Sequence, residues 1–289
     1  VAFCAEVSVI VGLVCAGRSC HLKFVNFAPH ADFKFTQRPS DSGFAFPFSV
    51  ELTIRELVKF DETWCEWPCR PDAIFVPDHG GDRDWTAWWQ SIQTAQRSCG
   101  ITHVPHLIAQ SEVEAGLDTV SLQSALVVRG DRQPALSDGV SWLRRIHERF
   151  PRAHLSVAAY PEKHPLAESL ERDVDVLFRK FDVGAKDAIT QFCFHASGLE
   201  KFIERIEARG LSRARIRPGF RLPPAGDENC FGVRVPKDLQ GSSLAVREAA
   251  LEQLLRAALE IWGADFRPHF FVMQDGASWR RVLRAWTSS

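Results

Sequence analysis

From about residue 45 onward, short apolar runs alternate with stretches of helical periodicity, and this alternation is the strongest constraint on the fold. Strand candidates span residues 48–52, 73–77, 103–107, 125–128, 155–159, 188–191, 214–217 and 270–273. All but 214–217 are rich in apolar or β-branched residues, as strands covered on both faces should be. Helical patterns lie between most of them. Val140, Leu143, Ile146 and Phe150 fall on one helical face. Ser197-Gly-Leu-Glu200 has capping-box spacing and predicts a helix that runs to Gly210. Leu251, Leu254, Leu255, Ala258 and Ile261 mark the longest helix, with Gly263 just past its end. Eight strands with helical crossovers predict a (β/α)8 TIM barrel, of the α/β class. The competing doubly wound sheet usually has a glycine-rich turn after its first strand. Here Leu52 is followed by Thr53-Ile-Arg-Glu56, without glycine. The expected organisation is an N-terminal extension, residues 1–44, followed by a single barrel domain, residues 45–289.

Every strand of a parallel barrel points its carboxyl end at the same mouth. Glu51, His106, Arg129, Asp131, Tyr160, His164 and Gln191 all fall at or just beyond such ends. Each taken alone has a structural explanation: a strand-end charge, a core histidine, a surface ion pair. Their convergence on one rim points to a binding or catalytic site. The chain is 45% hydrophobic and 25% charged with a net charge of -1, so no global basic field attracts nucleic acid or an anionic membrane. Small molecules are the expected partners.

Among the 8 cysteines the one tight pair is Cys65-Glu-Trp-Pro-Cys69, and no second pair lies near it to complete a zinc site. No metal is expected, and reduced thiols in a cytoplasmic protein are the simplest reading. The apolar run from Val7 to Gly17 is far shorter than the ~20 residues that span a bilayer. No Lys or Arg precedes it, and Glu6 sits where an export signal carries positive charge. It reads as an added strand or packing arm. Residues 221–241 read as an irregular loop, either a lid or a solvated connector. Trp85, Trp88 and Trp89 suit helical core packing; the alternative is a subunit contact in a homo-oligomer.

Five segments carry a more specific message: Phe48-Ser-Val-Glu51, Pro105-His-Leu107, Arg129-Gly-Asp131, Tyr160-Pro-Glu-Lys-His164, and the run Lys180-Phe-Asp-Val-Gly-Ala185 with Ile189-Thr-Gln191. Together they resemble the flavin-dependent methylenetetrahydrofolate reductases, over most of the chain from about residue 45. The resemblance implies FAD across the barrel mouth, with contacts from His106, Arg129, Gly130, Asp131, Tyr160, His164, Ala167, Asp173, Arg179 and Lys180. Arg179 and Lys180 would meet a pyrophosphate, and Asp131 would disfavour negative charge on the reduced ring. The implied reaction interconverts 5,10-methylene- and 5-methyl-tetrahydrofolate by hydride transfer at flavin N5. Glu51 would be the general acid for the departing nitrogen, with a pKa raised by burial. Gln191 and Asp131 would hold the pterin edge, and Gln274 would complete the folate contacts.

The chain departs from the family pattern at several points. Asp78-His79-Gly80 replaces a Thr-Tyr-Gly, and Val176 stands where an asparagine is usual. The loop after Pro218-Gly219 lacks a Pro-Val-x-x-Phe run, and the final strand lacks an Asn-Arg end. These changes predict retained flavin and pterin chemistry with a weakened or missing NAD(P)H site, so that 5-methyl-tetrahydrofolate oxidation dominates. The alternative is a non-catalytic flavin- or folate-binding subunit that partners another protein.

Overall fold

In the computed structural model the predicted strands form one parallel ring. It describes residues 10–16, 19–24, 47–54, 56–57, 70–77, 85–130, 138–226, 229–230, 233–272, 279 and 281–283. The chain divides into two units, Val1–Pro39 and Ser40–Ser289. In the first, β1 (Ile10–Ala16) pairs antiparallel with β2 (Ser19–Phe24), which puts Cys15 opposite Cys20. The segment expected as an added strand or packing arm is thus a strand, part of a hairpin.

In the second unit, β3 (Ser49–Glu51), β4 (Ala73–Val76), β5 (Thr102–Ile108), β6 (Ser124–Val128), β7 (His154–Ala159) and β8 (Asp187–Thr190) run parallel, each beside its predecessor. Next come two short strands, β9 (Ile216–Arg217) and β10 (Gly219–Phe220). A small antiparallel pair, β11 (Asn229–Cys230) and β12 (Val233–Arg234), precedes β13 (His269–Phe271). β9 pairs with β8, whereas β10 pairs with β13, which returns to β3. Residues 216–220 therefore act as one barrel strand interrupted at Pro218, and the ring closes through it. The sequence placed this strand at 214–217, but Ala214 lies in a 3-10 turn, Arg213–Arg215. Proline has no N–H for a ladder; its carbonyl instead accepts from His269 N at 2.9 Å.

Side chains alternate between two apolar cores, as strand geometry requires. Val50, Ile74, Leu107, Val127, Leu155 and Val157 belong to a large cluster shared with the helices. Ala73, Phe75, Val104, Leu126 and Ile189 form a separate cluster inside the ring. The helices are α1 (Trp85–Cys99), α2 (Ser111–Gly116), α3 (Gly139–Arg149), α4 (Leu170–Val183), α5 (Ala196–Ala208) and α6 (Leu244–Trp262). The Asp138 carboxylate caps α3, Ser169 caps α4 and Ser243 caps α6, each accepting from first-turn N–H groups. The capping box read at Ser197 does not form. α5 starts at Ala196 after His195, with no side-chain cap, so Ser197 is already inside the helix. Two fully buried tryptophans tie helices to strand carbonyls: Trp142 Nε1 donates to Leu107 O and Trp262 Nε1 to Ile216 O, both at 2.9 Å. Trp88 and Trp89 are buried in the helix-facing core, as the packing reading of α1 required. The loop read at 221–241 is anchored, because Val233, Val235 and Leu239 pack with Phe192 in a third small core.

Gly219 is the tightest point of closure. Its N–H donates to Thr190 Oγ1 at 2.8 Å, and an added Cβ would lie 2.2 Å from the Thr190 carbonyl oxygen. Gly219→Ala is therefore expected to destabilise the fold by about 1–3 kcal/mol in urea denaturation, the usual cost of overpacking. Gly226→Ala, where the added methyl meets nothing within 4 Å, is the near-neutral control.

Candidate active site at the carboxyl mouth of the barrel

The carboxyl ends of the strands open into a cavity of about 1390 Å3. Single small-molecule sites occupy about 300–1,000 Å3, so this space suits a dinucleotide together with a second ligand. Glu51, His106, Arg129, Gly130, Tyr160, His164, Ala167, Asp173, Arg179, Lys180 and Gln191 all line it. The structure thus gathers every expected site residue that it describes. Asp131, Gln274 and the Asp78-His79-Gly80 segment lie outside the described residues, as do Cys65 and Cys69. Among the described residues no group of three His, Cys, Asp or Glu is placed to hold a metal ion. No described helix is long and apolar enough to cross a membrane.

Glu51 reaches the cavity because Val50 points to the helices, so the next residue on β3 points inward. Its side chain is only 8% exposed, and its Oε2 lies 3.6 Å from His106 Nε2 and 3.8 Å from His269 Nε2. His269 is a site residue that sequence reasoning missed. It lies one residue before the strand candidate 270–273, although alternation along β13 places it on the same face as the cavity-lining Phe271.

Across the mouth, Gly130 turns the chain off β6 with a φ of 79°, and an added Cβ would come within 2.4 Å of Ile108 Cγ2. Only glycine fits there. Tyr160, the single tyrosine of the chain, meets His164 edge to face at 4.5 Å. That loop is folded on itself: Ala167 N donates to His164 O, Leu166 N donates to His164 Nδ1, and the Asp173 carboxylate accepts from His164 N. Asp173 thus holds the loop in shape while lining the cavity. Gln191 Oε1 accepts from Phe192 N at 3.1 Å, which leaves its amide N–H donors for a ligand.

Lys180 Nζ donates to Ala158 O at 2.9 Å beneath the cavity floor. The residue as a whole is half-buried, and burial of its ammonium pushes the pKa down to about 8, with Asp173 opposing. An enclosed cation beside Arg129 and Arg179, over a floor of Leu126, Val128 and Ile189, is the donor set a dinucleotide requires. In such a ligand the anionic link would meet the cations, and the flat ring would cover apolar surface. The residues present fit a flavin dinucleotide.

The fold and site define a barrel protein whose mouth pairs a buried carboxylate with a flank of three basic side chains, Arg129, Arg179 and Lys180. The sequence profile of the methylenetetrahydrofolate reductase family matches residues 69–222, more than half of the chain, and the chain belongs to that family. It is 34% identical over 156 residues to the 5,10-methylenetetrahydrofolate reductase of Pectobacterium carotovorum subsp. carotovorum, an alignment covering 49% of this chain and 50% of the relative. It is 32% identical over the same length to that of Escherichia coli (strain K12). The chain spans about half the length of the curated relatives it matches. A solved structure of an uncharacterized protein from Clostridium thermocellum, described as binding two copies of 5-methyl-5,6,7,8-tetrahydrofolic acid, superposes with a TM-score of 0.62 at 12% identity. It covers 84% of this chain and 95% of its own, and the likeness concerns the fold.

The Lys180 site has a defined pH signature. Between about pH 8 and its ordinary value of 10.5, the folded ligand-free protein has shed a proton that the unfolded chain keeps, so stability rises with pH in that window. A bound pyrophosphate favours the ammonium form. FAD affinity, followed by quenching of flavin fluorescence, is expected to fall as pH rises through about 8. Lys180→Met should bind more weakly and flatten that dependence.

Proposed function

We propose that this protein is a flavin-dependent oxidoreductase that interconverts 5,10-methylenetetrahydrofolate and 5-methyltetrahydrofolate, with oxidation of the 5-methyl form dominant. Support comes from family membership, from the cavity residues that fit a flavin, and above all from one observation: a carboxylate enclosed at the cavity wall between two imidazoles. FAD, when bound, supplies the site that gives or takes the hydride.

The rest of the reading concerns the chain's own groups. Glu51 protonates the folate nitrogen that departs when the methylene bridge opens, and removes that proton in the reverse direction. Gln191, with its amide N–H groups available, holds the pterin edge, and Asp131 and Gln274 belong to the same proposed contact set. Arg129, Arg179 and Lys180 meet the pyrophosphate, and Tyr160 with His164 closes the side of the site. Leu126, Val128, Ala158 and Ile189 exclude water from the floor, which strengthens the polar contacts above them. Val176 also lines the cavity, so an apolar side chain occupies a position where the family pattern carries an amide. That departure concerns a flavin contact; the Asp78 that replaces a threonine, with the altered loop after Gly219, supports the proposal of a weakened or missing NAD(P)H site. Electrons from the folate then leave to an acceptor other than NAD(P)+.

Two measurements test this reading. Glu51→Gln should reduce single-turnover oxidation of 5-methyltetrahydrofolate by about 10²–10⁴, the usual share of an acid–base group, while flavin remains bound. Unchanged turnover would remove Glu51 from the mechanism and favour the binding-subunit reading. In anaerobic stopped flow, 5-methyltetrahydrofolate should bleach the flavin band rapidly and NADH slowly or not at all; rapid bleaching by NADH would overturn the proposed loss of that site.

A further inference from the structure

Two imidazoles, His106 and His269, converge on one oxygen of the Glu51 carboxylate, and His269 is fixed from behind. His269 is fully buried, and its Nδ1 lies 2.9 Å from Ser49 Oγ, the residue directly opposite it in the parallel register of β13 and β3. Its ring is clamped edge-on by Phe75 at 4.9 Å and by Phe271 at 4.8 Å. Rotation is blocked, so each nitrogen has one assignment: Nδ1 to Ser49 and Nε2 toward Glu51 Oε2. Nε2 has no hydrogen-bond partner within normal length among the described residues.

The ring's charge state limits what it can do. Burial, reinforced by the charge of Arg217, pushes its pKa down to about 3, with Asp72 opposing. The imidazole is therefore neutral and carries a single N–H. Among the described residues, the charged and titratable groups around it are Glu51 on β3, Asp72 before β4, His106 on β5 and Arg217 on β9, the last paired with Asp187 on β8. Ser49 can donate its hydroxyl proton to Nδ1, which puts the ring N–H at Nε2. In the other tautomer a lone pair would face Oε2, repelling the ionised carboxylate or trapping the acid proton on that oxygen.

We propose that the Ser49–His269 pair is a positioning device for Glu51: the Nε2–H faces Oε2 and holds the carboxyl in the orientation from which it carries and releases its proton. This rests on the reading of Glu51 as the general acid. His269 touches no substrate in this arrangement and acts through the carboxylate.

The test uses the flavin-loaded full chain. His269→Phe keeps the ring and removes the N–H. It should lower the saturated rate of 5-methyltetrahydrofolate oxidation by roughly ten- to a hundredfold, the scale of a small misplacement of a reacting group. KM should change little, and the pH limb on which Glu51 becomes a base should move to higher pH, because the carboxylate has lost a donor. His269→Gln, whose side-chain amide reaches a similar point, should recover most of the rate. Ser49→Ala should produce a smaller loss and a limb shift of the same sign. Independently of turnover, ¹⁵N NMR of histidine-labelled protein, with His269 assigned by its loss in the Gln variant, should show the Nε2–H tautomer. A protonated Nδ1, or a His269→Phe enzyme with wild-type rate and pH profile, overturns the proposal. If the Phe variant does not fold, the Ser49→Ala pH profile and the NMR tautomer decide it. Loss of turnover in Glu51→Gln alongside a silent His269→Phe would sink the positioning role alone. A silent Glu51→Gln would sink the acid assignment beneath it.

Discussion

The register between β13 and β3 is the constraint on which the rest of the structure depends. It sets His269 against Ser49 and Phe271 against Glu51. A slip of one residue would turn Glu51 toward the helices and bring Val50 into the cavity, because side chains alternate with a period of two. Closing the barrel and assembling the site are therefore the same event. The junction that fixes this register is the broken strand 216–220. Pro218 offers only its carbonyl to His269, and the close approach of Gly219 to Thr190 leaves no room for a side chain. Barrel interiors are usually filled by layers of branched apolar residues. Here the apolar layer of Phe75, Val104, Leu126 and Ile189 shares the interior with Ser49, Glu51, His106, Ser156 and His269.

That polar interior continues toward the amino ends of the strands, where charge is balanced. Arg217 lies 3.4 Å from Asp72 and 3.7 Å from Asp187, and His154 is 3.1 Å from Asp187. Burial raises the pKa of Asp72 despite the opposing charge of Arg217. At Asp187 burial acts upward as well, but the hydrogen bond from His154 and the charge of Arg217 outweigh it and hold the carboxyl below its usual range. Losing one member of such a buried set costs about 3–5 kcal/mol, whereas exposed pairs such as Arg145–Glu114 contribute about 0–1 kcal/mol. Arg217 thus links two of the interior's carboxylates. Its field also reaches His269 and helps keep that ring neutral.

Strand alternation and the position of the mouth were legible in the sequence because both follow from local pattern. Apolar runs mark strands, and in a parallel barrel every carboxyl end shares one side. What local pattern could not supply was set by tertiary geometry. Ser197 has the right spacing for a capping box, but the chain enters α5 at Ala196, one residue before the expected cap, so Ser197 became an interior position. The weakest strand candidate, 214–217, was displaced because Arg213–Arg215 takes a tight turn and pairing resumes beyond Pro218. His269 was invisible as a site residue for the same reason. Its role depends on a neighbour 220 positions away, and no spacing rule connects it to Ser49.

The buried carboxylate also bears on the choice between an enzyme and a binding subunit. Enclosing Glu51 between two imidazoles costs desolvation that an apolar replacement of similar volume would avoid, often with a gain in stability. A protein that only held flavin or folate would draw its affinity from the cations, from Gln191 and from the apolar floor, none of which requires Glu51. A proton donor is useful only where a bond to nitrogen breaks or forms. In the proposed reaction that step belongs to the folate half alone, so the acid and its imidazoles are needed whichever acceptor later takes the electrons. The changes at Val176 and in the loop after Gly219 leave that proton chemistry untouched, because each lies on a different element from Glu51, His106 and His269.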